Sequence, residues 1–301
     1  MKKDVIIIGA GIAGLTAAIY VLRAGHSALC IEGANYGGQI VNSPEVENYP
    51  GYQNISGFDL VNTVFEQAKA LGMEYQNDKV LSVKKEGDGF VVSGEAASYE
   101  AASVIIATGA KRRKLGVSGE ERLSGLGVSY CATCDGMFYR KKDTIVCGGG
   151  NTALEDAMFL SNFCNHVTIC HRRDGFRGEP KLLEQLKEKD NVSFVTDVTV
   201  DEIAGAEKVE KLIYTDHKTG AKGEIPANGI FIAVGQIPDT EFVKDLISLD
   251  EAGYVIAGED CATNVPGIFA AGDCRKKPVR QLTTAAADGT VAGLAAAQYT
   301  E

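Results

Sequence analysis

Positive charge is in short supply. The 301-residue chain carries 30 Lys and Arg against 40 Asp and Glu, a formal charge of −10 with a pI near 5.0. Such a chain repels polyanions, which excludes nucleic acid and anionic membranes as expected partners. A second close pair of cysteines is also missing. The eight cysteines stand at 30, 131, 134, 147, 164, 170, 261 and 274, only Cys131 and Cys134 are close, and the histidines at 26, 166, 171 and 217 are scattered. A structural zinc site takes four ligands, usually from two such pairs, so no metal is expected. A secreted disulfide framework belongs to a much shorter chain, which makes the reducing cytoplasm the expected compartment. An unbroken apolar anchor is absent too. The opening MKKDVIIIGAGIAGLTAAIYVLR imitates a signal peptide, but Asp4 interrupts its basic region and Gly9, Gly11 and Gly14 break the apolar run. Leu29 before Cys30 spoils a lipoprotein cleavage site.

Glycine, by contrast, is abundant: 35 of 301 residues, about 12% against a typical ~7%. The excess lies in short clusters, as expected where backbone must approach a ligand closely. The length suggests about two domains at ~150 residues each. Charged residues at 23% and hydrophobic ones at 45% are ordinary for a soluble globular protein.

Two of the glycine clusters belong to an internal repeat. DVIIIGAGIAGLTAAIYVLRAGHSALCIEG from Asp4 and DTIVCGGGNTALEDAMFLSNFCNHVTICHRR from Asp143 share one plan: an apolar strand, a G-x-G-x-x-G/A turn, an Ala-rich helix and a second apolar strand. Gly9, Gly11 and Gly14 match Gly148, Gly150 and Ala153, and Glu32 matches His171; the offset, 148 minus 9 and 171 minus 32, is 139 in both cases. A unit copied at mid-chain is not a signal peptide. Each copy is a βαβ dinucleotide fingerprint. The first small residue makes the turn, the second lets backbone approach a pyrophosphate, and the third packs helix on strand, while the helix N-terminus stabilises the phosphate charge. The predicted contacts are Gly9, Gly11, Ile12, Ala13 and Gly14 in the first copy, and Gly148, Gly150, Asn151, Thr152 and Ala153 in the second.

The strand ends separate two ligands. Glu32 can accept hydrogen bonds from ribose hydroxyls and would repel a 2′-phosphate. The second copy ends HRRDGFR, where Arg172, Arg173 and Arg177 follow His171. Guanidinium groups at that position suit the 2′-phosphate of NADP. VIIATGA, containing Thr108 and Gly109, has the form of the exit strand of a flavin-binding half, and TNVPGIFAAGDC delivers Asp273 to ribityl or ribose hydroxyls. Thr283 is the expected cap of the Ala-rich helix that follows. The expected fold is therefore α/β, with two Rossmann-like dinucleotide-binding domains. The FAD domain is discontinuous, residues 1–112 and 242–301, and the NADPH domain, 113–241, is inserted into it. KRRK, 111–114, reads as a solvated linker.

The set GAGIAG, GGQ, EVENYPG, ATGA, CATCDG, GGGNTA, HRRDGFR, GIFAAGDC and RQ resembles, in order and over nearly the whole chain, the low-molecular-weight thioredoxin reductases of bacteria. CATC just ahead of GGGNTA is the most specific element. The resemblance implies a homodimeric flavoprotein that passes electrons from NADPH through FAD to Cys131–Cys134 and on to thioredoxin. It also implies FAD contacts at Gly38, Gln39, Asn48, Asp273, Arg280 and Gln281, Cys134 as the flavin-side sulfur, and a rotation of one domain against the other. One departure stands out: where the family commonly has FRA, this chain has FRGEPK, with Gly178 and Pro180.

The residues of SYCATCDGMF support the redox role. A permanent staple across so short a loop restricts the unfolded chain only slightly. Two cysteines three apart reach one another, and the CxxC arrangement makes a thiolate available near neutral pH. Asp135, next to Cys134, is the candidate acid or base for the leaving thiolate, with a capping role ahead of Gly136 as the alternative. Cys30, Cys147 and Cys170 read as core residues. Competing readings are a flavin-dependent dithiol oxidase, a ferredoxin-dependent thioredoxin reductase and a non-enzymatic flavoprotein; neither of the first two has a use for HRRDGFR.

Overall fold

The structure, a computed structural model, describes residues 2–43 and 45–301, with the backbone alone of Lys2 and Asn42. Met1, the start of the signal-like stretch, lies outside the described residues. The chain is α/β and divides into two compact units, one made of the residues up to Lys111 together with Ile237–Glu301, the other of Arg112–Gln236.

The first unit begins β1 (Lys2–Ile8), α1 (Ile12–Arg23), β2 (Ala28–Glu32), α2 (Gly57–Ala70), β3 (Glu74–Asn77), β4 (Val80–Glu86), β5 (Gly89–Gly94) and β6 (Ser98–Ile106). β3, β2, β1 and β6 pair in parallel in that order. Val5 to Ile8 are all apolar and at most 4% exposed, because both faces of a central parallel strand are covered. The alternation is visible in the packing. Val5 and Ile7 join the core under α1, whereas Ile6 and Ile8 join a second core with Phe90, Val92, Val243 and Ile247.

The second unit, which the chain enters within β7 (Ala110–Arg112), contains β8 (Val128–Ser129), α3 (Ala132–Asp135), β9 (Asp143–Cys147), α4 (Asn151–Ser161), β10 (His166–Cys170), α5 (Pro180–Lys187), β11 (Val192–Val195), β12 (Val198–Ala204), β13 (Lys211–Asp216), β14 (Lys222–Pro226) and β15 (Gly229–Ile232), and the chain leaves it within β16 (Gln236–Pro238). Its parallel sheet has the order β11-β10-β9-β15-β8. One face packs on α4 through Val146, Val167, Ile169 and Phe231. The other packs on the antiparallel β12-β13-β14 sheet through Ile145, Cys147, Cys170 and Ile230.

The chain then returns to the first unit as β17 (Ile268–Ala270) and α6 (Leu282–Tyr299). β17 pairs in parallel with Val104–Ile106 of β6, while β5 pairs antiparallel with the earlier half of the same strand. α6 crosses α1 closely: a Cβ on Gly289 would stand 2.2 Å from the Ala13 carbonyl oxygen. The cap of α6 differs from the expectation. Gln281, not Thr283, is the N-cap, because its side chain accepts from the backbone of Thr284 while the Thr284 hydroxyl accepts from the Gln281 N–H. Thr283 lies inside the first turn. No helix among the described residues is long and apolar enough to cross a membrane.

Candidate redox site and dinucleotide loops

Cys131 and Cys134 form a disulfide with a Cα–Cα distance of 5.3 Å. Cys131 is the N-cap of the single turn α3 and Cys134 lies within it; Cys134 is exposed and Cys131 half-buried. The turn is seated on α4, since a Cβ on Gly136 would meet Leu160, Phe159 and Phe163 at 3.0–3.2 Å. Met137 and Phe138 beside it are 52% and 38% exposed. On the other side, Tyr130 donates to Glu120 at 2.8 Å. Burial and that bond raise the Tyr130 hydroxyl above its usual range, so it remains a donor. Glu120, itself buried, also accepts from the N–H groups of Leu115 and Gly116.

Asp135 precedes a short 3-10 segment, Gly136–Tyr139, but its carboxylate makes no capping bond there. It accepts instead from the Ser129 hydroxyl at 2.5 Å. The capping alternative therefore lacks its hydrogen bond. Tyr139 stands nearby, its hydroxyl pushed up to about 12 by burial and by the Asp135 charge. The six other cysteines are free and buried. Burial pushes the Cys274 thiol up to about 11 and that of Cys261 up to about 12.

The first glycine turn has the shape a pyrophosphate needs. Gly9 adopts φ +107°, and a Cβ there would stand 2.4 Å from the Ala107 carbonyl oxygen, immediately before Thr108 and Gly109. Gly14 packs equally close, its Cβ position being 1.9 Å from the Gly9 carbonyl oxygen. At Gly11 the nearest atom to such a Cβ is Gly38 Cα at 4.0 Å, so space is left above the N-terminus of α1, where Ile12 and Ala13 begin the helix. The Glu32 carboxylate is oriented by two backbone donors, Ala10 at 2.9 Å and Ala34 at 3.0 Å. Each oxygen keeps a lone pair for a ribose hydroxyl.

Several of the residues expected to contact FAD pair across long stretches of sequence. Asn48 donates to Gln281 at 3.3 Å, and Gln39 donates to the Ala110 carbonyl. Arg280 stacks on Tyr254 at 4.1 Å and donates to the Asp273 carbonyl at 3.3 Å. Thr108 is committed elsewhere, donating to the Asp239 carbonyl at 2.7 Å.

The second turn repeats the arrangement. Among the described residues nothing lies within 4 Å of a Cβ on Gly150, and Ala153 is wholly buried. Asn151 opens α4 and accepts from the Glu179 N–H at 2.7 Å, while exposed Thr152 follows it. His171 lies under the loop: a Cβ on Gly149 would be 2.4 Å from its ring, and the ring sits 5.1 Å from Phe176. Among the described residues its Nε2 is buried without a hydrogen-bond partner. Burial, and then the charges of Arg172, Arg177 and Arg173, hold His171 below its usual value. Those three arginines are exposed. The FRGEPK departure has a packing reason. A Cβ on Gly178 would stand 2.5 Å from Leu154 and 3.2 Å from the Gly150 carbonyl carbon, and Pro180 begins α5. An open Gly150, next to a Gly149 that covers a ring nitrogen with no partner among the described residues, fits a bound dinucleotide.

Sequence reasoning missed Ser129 and Glu120, which have no signature of their own. It also missed a buried cluster in the first unit. Asp288 of α6 accepts from Arg275 Nε and Nη2 at 3.2 and 2.8 Å, from Lys277 at 2.8 Å and from the Gly272 N–H at 3.0 Å. An aspartate in the middle of the Ala-rich run AAADG was the available signal, since a lone charge on a helix so poor in polar residues needs a buried partner.

The family model for pyridine nucleotide-disulphide oxidoreductases matches residues 3–289. The thioredoxin reductases of Listeria innocua and Peptoclostridium acidaminophilum are each 44% identical, covering 99% of this chain and 94% and 97% of theirs. The crystal structure of thioredoxin reductase from Streptococcus pyogenes superposes with a TM-score of 0.95 at 44% identity, covering 99% of this chain and 98% of that one. With its two dinucleotide turns and its CxxC disulfide, the chain belongs to the pyridine nucleotide-disulphide oxidoreductases and, within them, to the thioredoxin reductases.

Proposed function

We propose that the protein reduces thioredoxin with electrons from NADPH, using FAD and the Cys131–Cys134 disulfide. The observation that carries this reading is the disulfide itself, partly exposed on the unit that also bears the HRRDGFR turn. The first unit holds FAD. Gly9, Gly11 and Gly14 admit its pyrophosphate, Glu32 accepts from its ribose, and Gly38, Gln39, Asn48, Asp273, Arg280 and Gln281 contact the remainder. The second unit holds NADPH through the 148–153 turn and the arginines. FAD, when bound, would supply the two-electron redox chemistry that links NADPH to the disulfide. Cys131 and Cys134 then become a dithiol, and thiol–disulfide exchange with the partner re-forms their bond as the partner's bond breaks. Asp135 carries a proton in that exchange. Six buried free thiols beside one CxxC support a cytoplasmic setting, and membership of the family supports a homodimer.

Anaerobic mixing with NADPH is the direct test: rapid bleaching of the yellow flavin is expected. If the flavin stays oxidised with NADPH, a dithiol oxidase or a ferredoxin-fed enzyme takes the place of this reading. Replacing Arg172 and Arg173 with Ala is expected to raise KM for NADPH about tenfold to a hundredfold more than KM for NADH. Only NADPH carries the 2′-phosphate, and each charge-assisted bond is worth ~1.5–3 kcal/mol. Arg177 is the third, lesser member. Equal losses with both nucleotides would remove the NADP assignment.

A further inference from the structure

We propose that Ser129 is a positioning residue that fixes the Asp135 carboxylate within the redox turn. Its hydroxyl donates to Asp135 Oδ2 at 2.5 Å and accepts from the Cys131 N–H at 3.1 Å, so one side chain ties the proposed proton carrier to the first cysteine. The anchor is rigid. Ser129 is 4% exposed, and its backbone lies in β8, in parallel register with Phe231 of β15. The next residue, Tyr130, is held by buried Glu120. By contrast, α3 is a single turn with Cys134 exposed, and Asp135 ends it. Without the bond, the carboxylate could turn about χ1 into solvent.

The inference rests on Asp135 as the proton carrier. In the exchange, one cysteine of the dithiol gives its proton to the carboxylate and attacks a sulfur of the partner disulfide, whose S–S bond breaks. The carboxylate returns the proton to the departing sulfur. The second cysteine then closes the Cys131–Cys134 bond as its proton goes to the partner's other sulfur, so two electrons and two protons leave the enzyme together. A carboxylate held in one orientation makes both transfers without a search; one free to rotate does so in a fraction of its conformers.

Ser129→Thr and Ser129→Val test this, because the two side chains have nearly the same shape and only Thr keeps the hydroxyl. In single turnovers of the NADPH-reduced holoenzyme with oxidised bacterial thioredoxin, Val is expected to slow the exchange about tenfold to a hundredfold. Thr is expected to stay near the wild-type rate, and flavin reduction by NADPH should be unchanged in both. Val combined with Asp135→Asn should be no slower than Asp135→Asn alone, since Ser129 acts only through the carboxylate. Equal slowing by Thr and Val would mean a packing defect and overturn the proposal. So would a double variant whose losses multiply. If Asp135→Asn alone leaves the exchange unchanged, the proton-carrier reading falls, and this inference with it.

Discussion

Replacing either Cys131 or Cys134 with serine is expected to abolish thioredoxin reduction while leaving the bleaching by NADPH nearly intact. A serine oxygen cannot form the exchangeable bond, and no other cysteine can substitute: the remaining six are free and buried. Burial holds several of them strongly protonated, with Cys261 at about 12 and Cys274 at about 11. The thiolate is the reactive form, so these groups are inert as nucleophiles at neutral pH. Alkylation gives an independent count. After mild reduction, native protein treated with iodoacetamide should take up label at Cys131 and Cys134 only, and unfolded protein at all eight cysteines. Wild-type turnover in both serine variants would remove the CxxC as the redox centre. Rapid native labelling of a third cysteine would overturn the division between reactive and core thiols.

Asp288→Asn is expected to produce the largest loss of stability. Arg275 is 4% and Asp288 7% exposed, and the Lys277 side chain 6%. The cluster thus buries two cations around one anion. Removing the anion leaves both cations buried and unpaired, which costs about 3–5 kcal/mol. At roughly 2–4 °C per kcal/mol for a domain of this size, the melting temperature should fall by on the order of 10 °C. Lys277→Met should cost far less, because it leaves a neutral, bidentate Arg275–Asp288 pair. The reverse ranking would refute the charge argument. The cluster also joins α6 to the turn at Gly272 that presents Asp273, so FAD should dissociate more readily from the Asn variant. The acid dependence has a definite sign. Burial raises the Asp288 carboxyl, but Arg275 and Lys277 outweigh it and hold the group below its usual value. The stabilisation is therefore present above the unfolded carboxyl value of about 3.9 and is lost as pH falls through the lower folded value. Below about pH 4 the melting gap between wild type and Asp288→Asn should narrow; a constant gap down to pH 2 would count against the titration.

Much of the α/β fold was legible in the sequence because its signals are local. A run such as DVIII followed by a glycine turn and an alanine-rich stretch specifies strand, turn and helix from neighbouring residues alone, and a second copy 139 residues later repeats the specification. The same holds for CATC: a separation of three residues brings two sulfurs within reach whatever the rest of the chain does, and the structure joins them. Where partners are distant, local reading loses its hold. Thr283 has the right chemistry for a cap, yet Gln281 takes the position because it can exchange bonds with Thr284 and also meet Asn48, 233 residues away. Asp288 reads as one charge in an alanine-rich helix until the turn at Gly272–Arg275 is folded against it. Ser129 reads as an ordinary strand residue until the CxxC turn bends Asp135 back onto it. Periodicity and spacing thus determine which elements form and which residues carry the sulfur chemistry. Which polar groups are buried together, and hence which carboxylate is held and which helix end is fixed, depends on contacts that exist only once the chain has closed on itself.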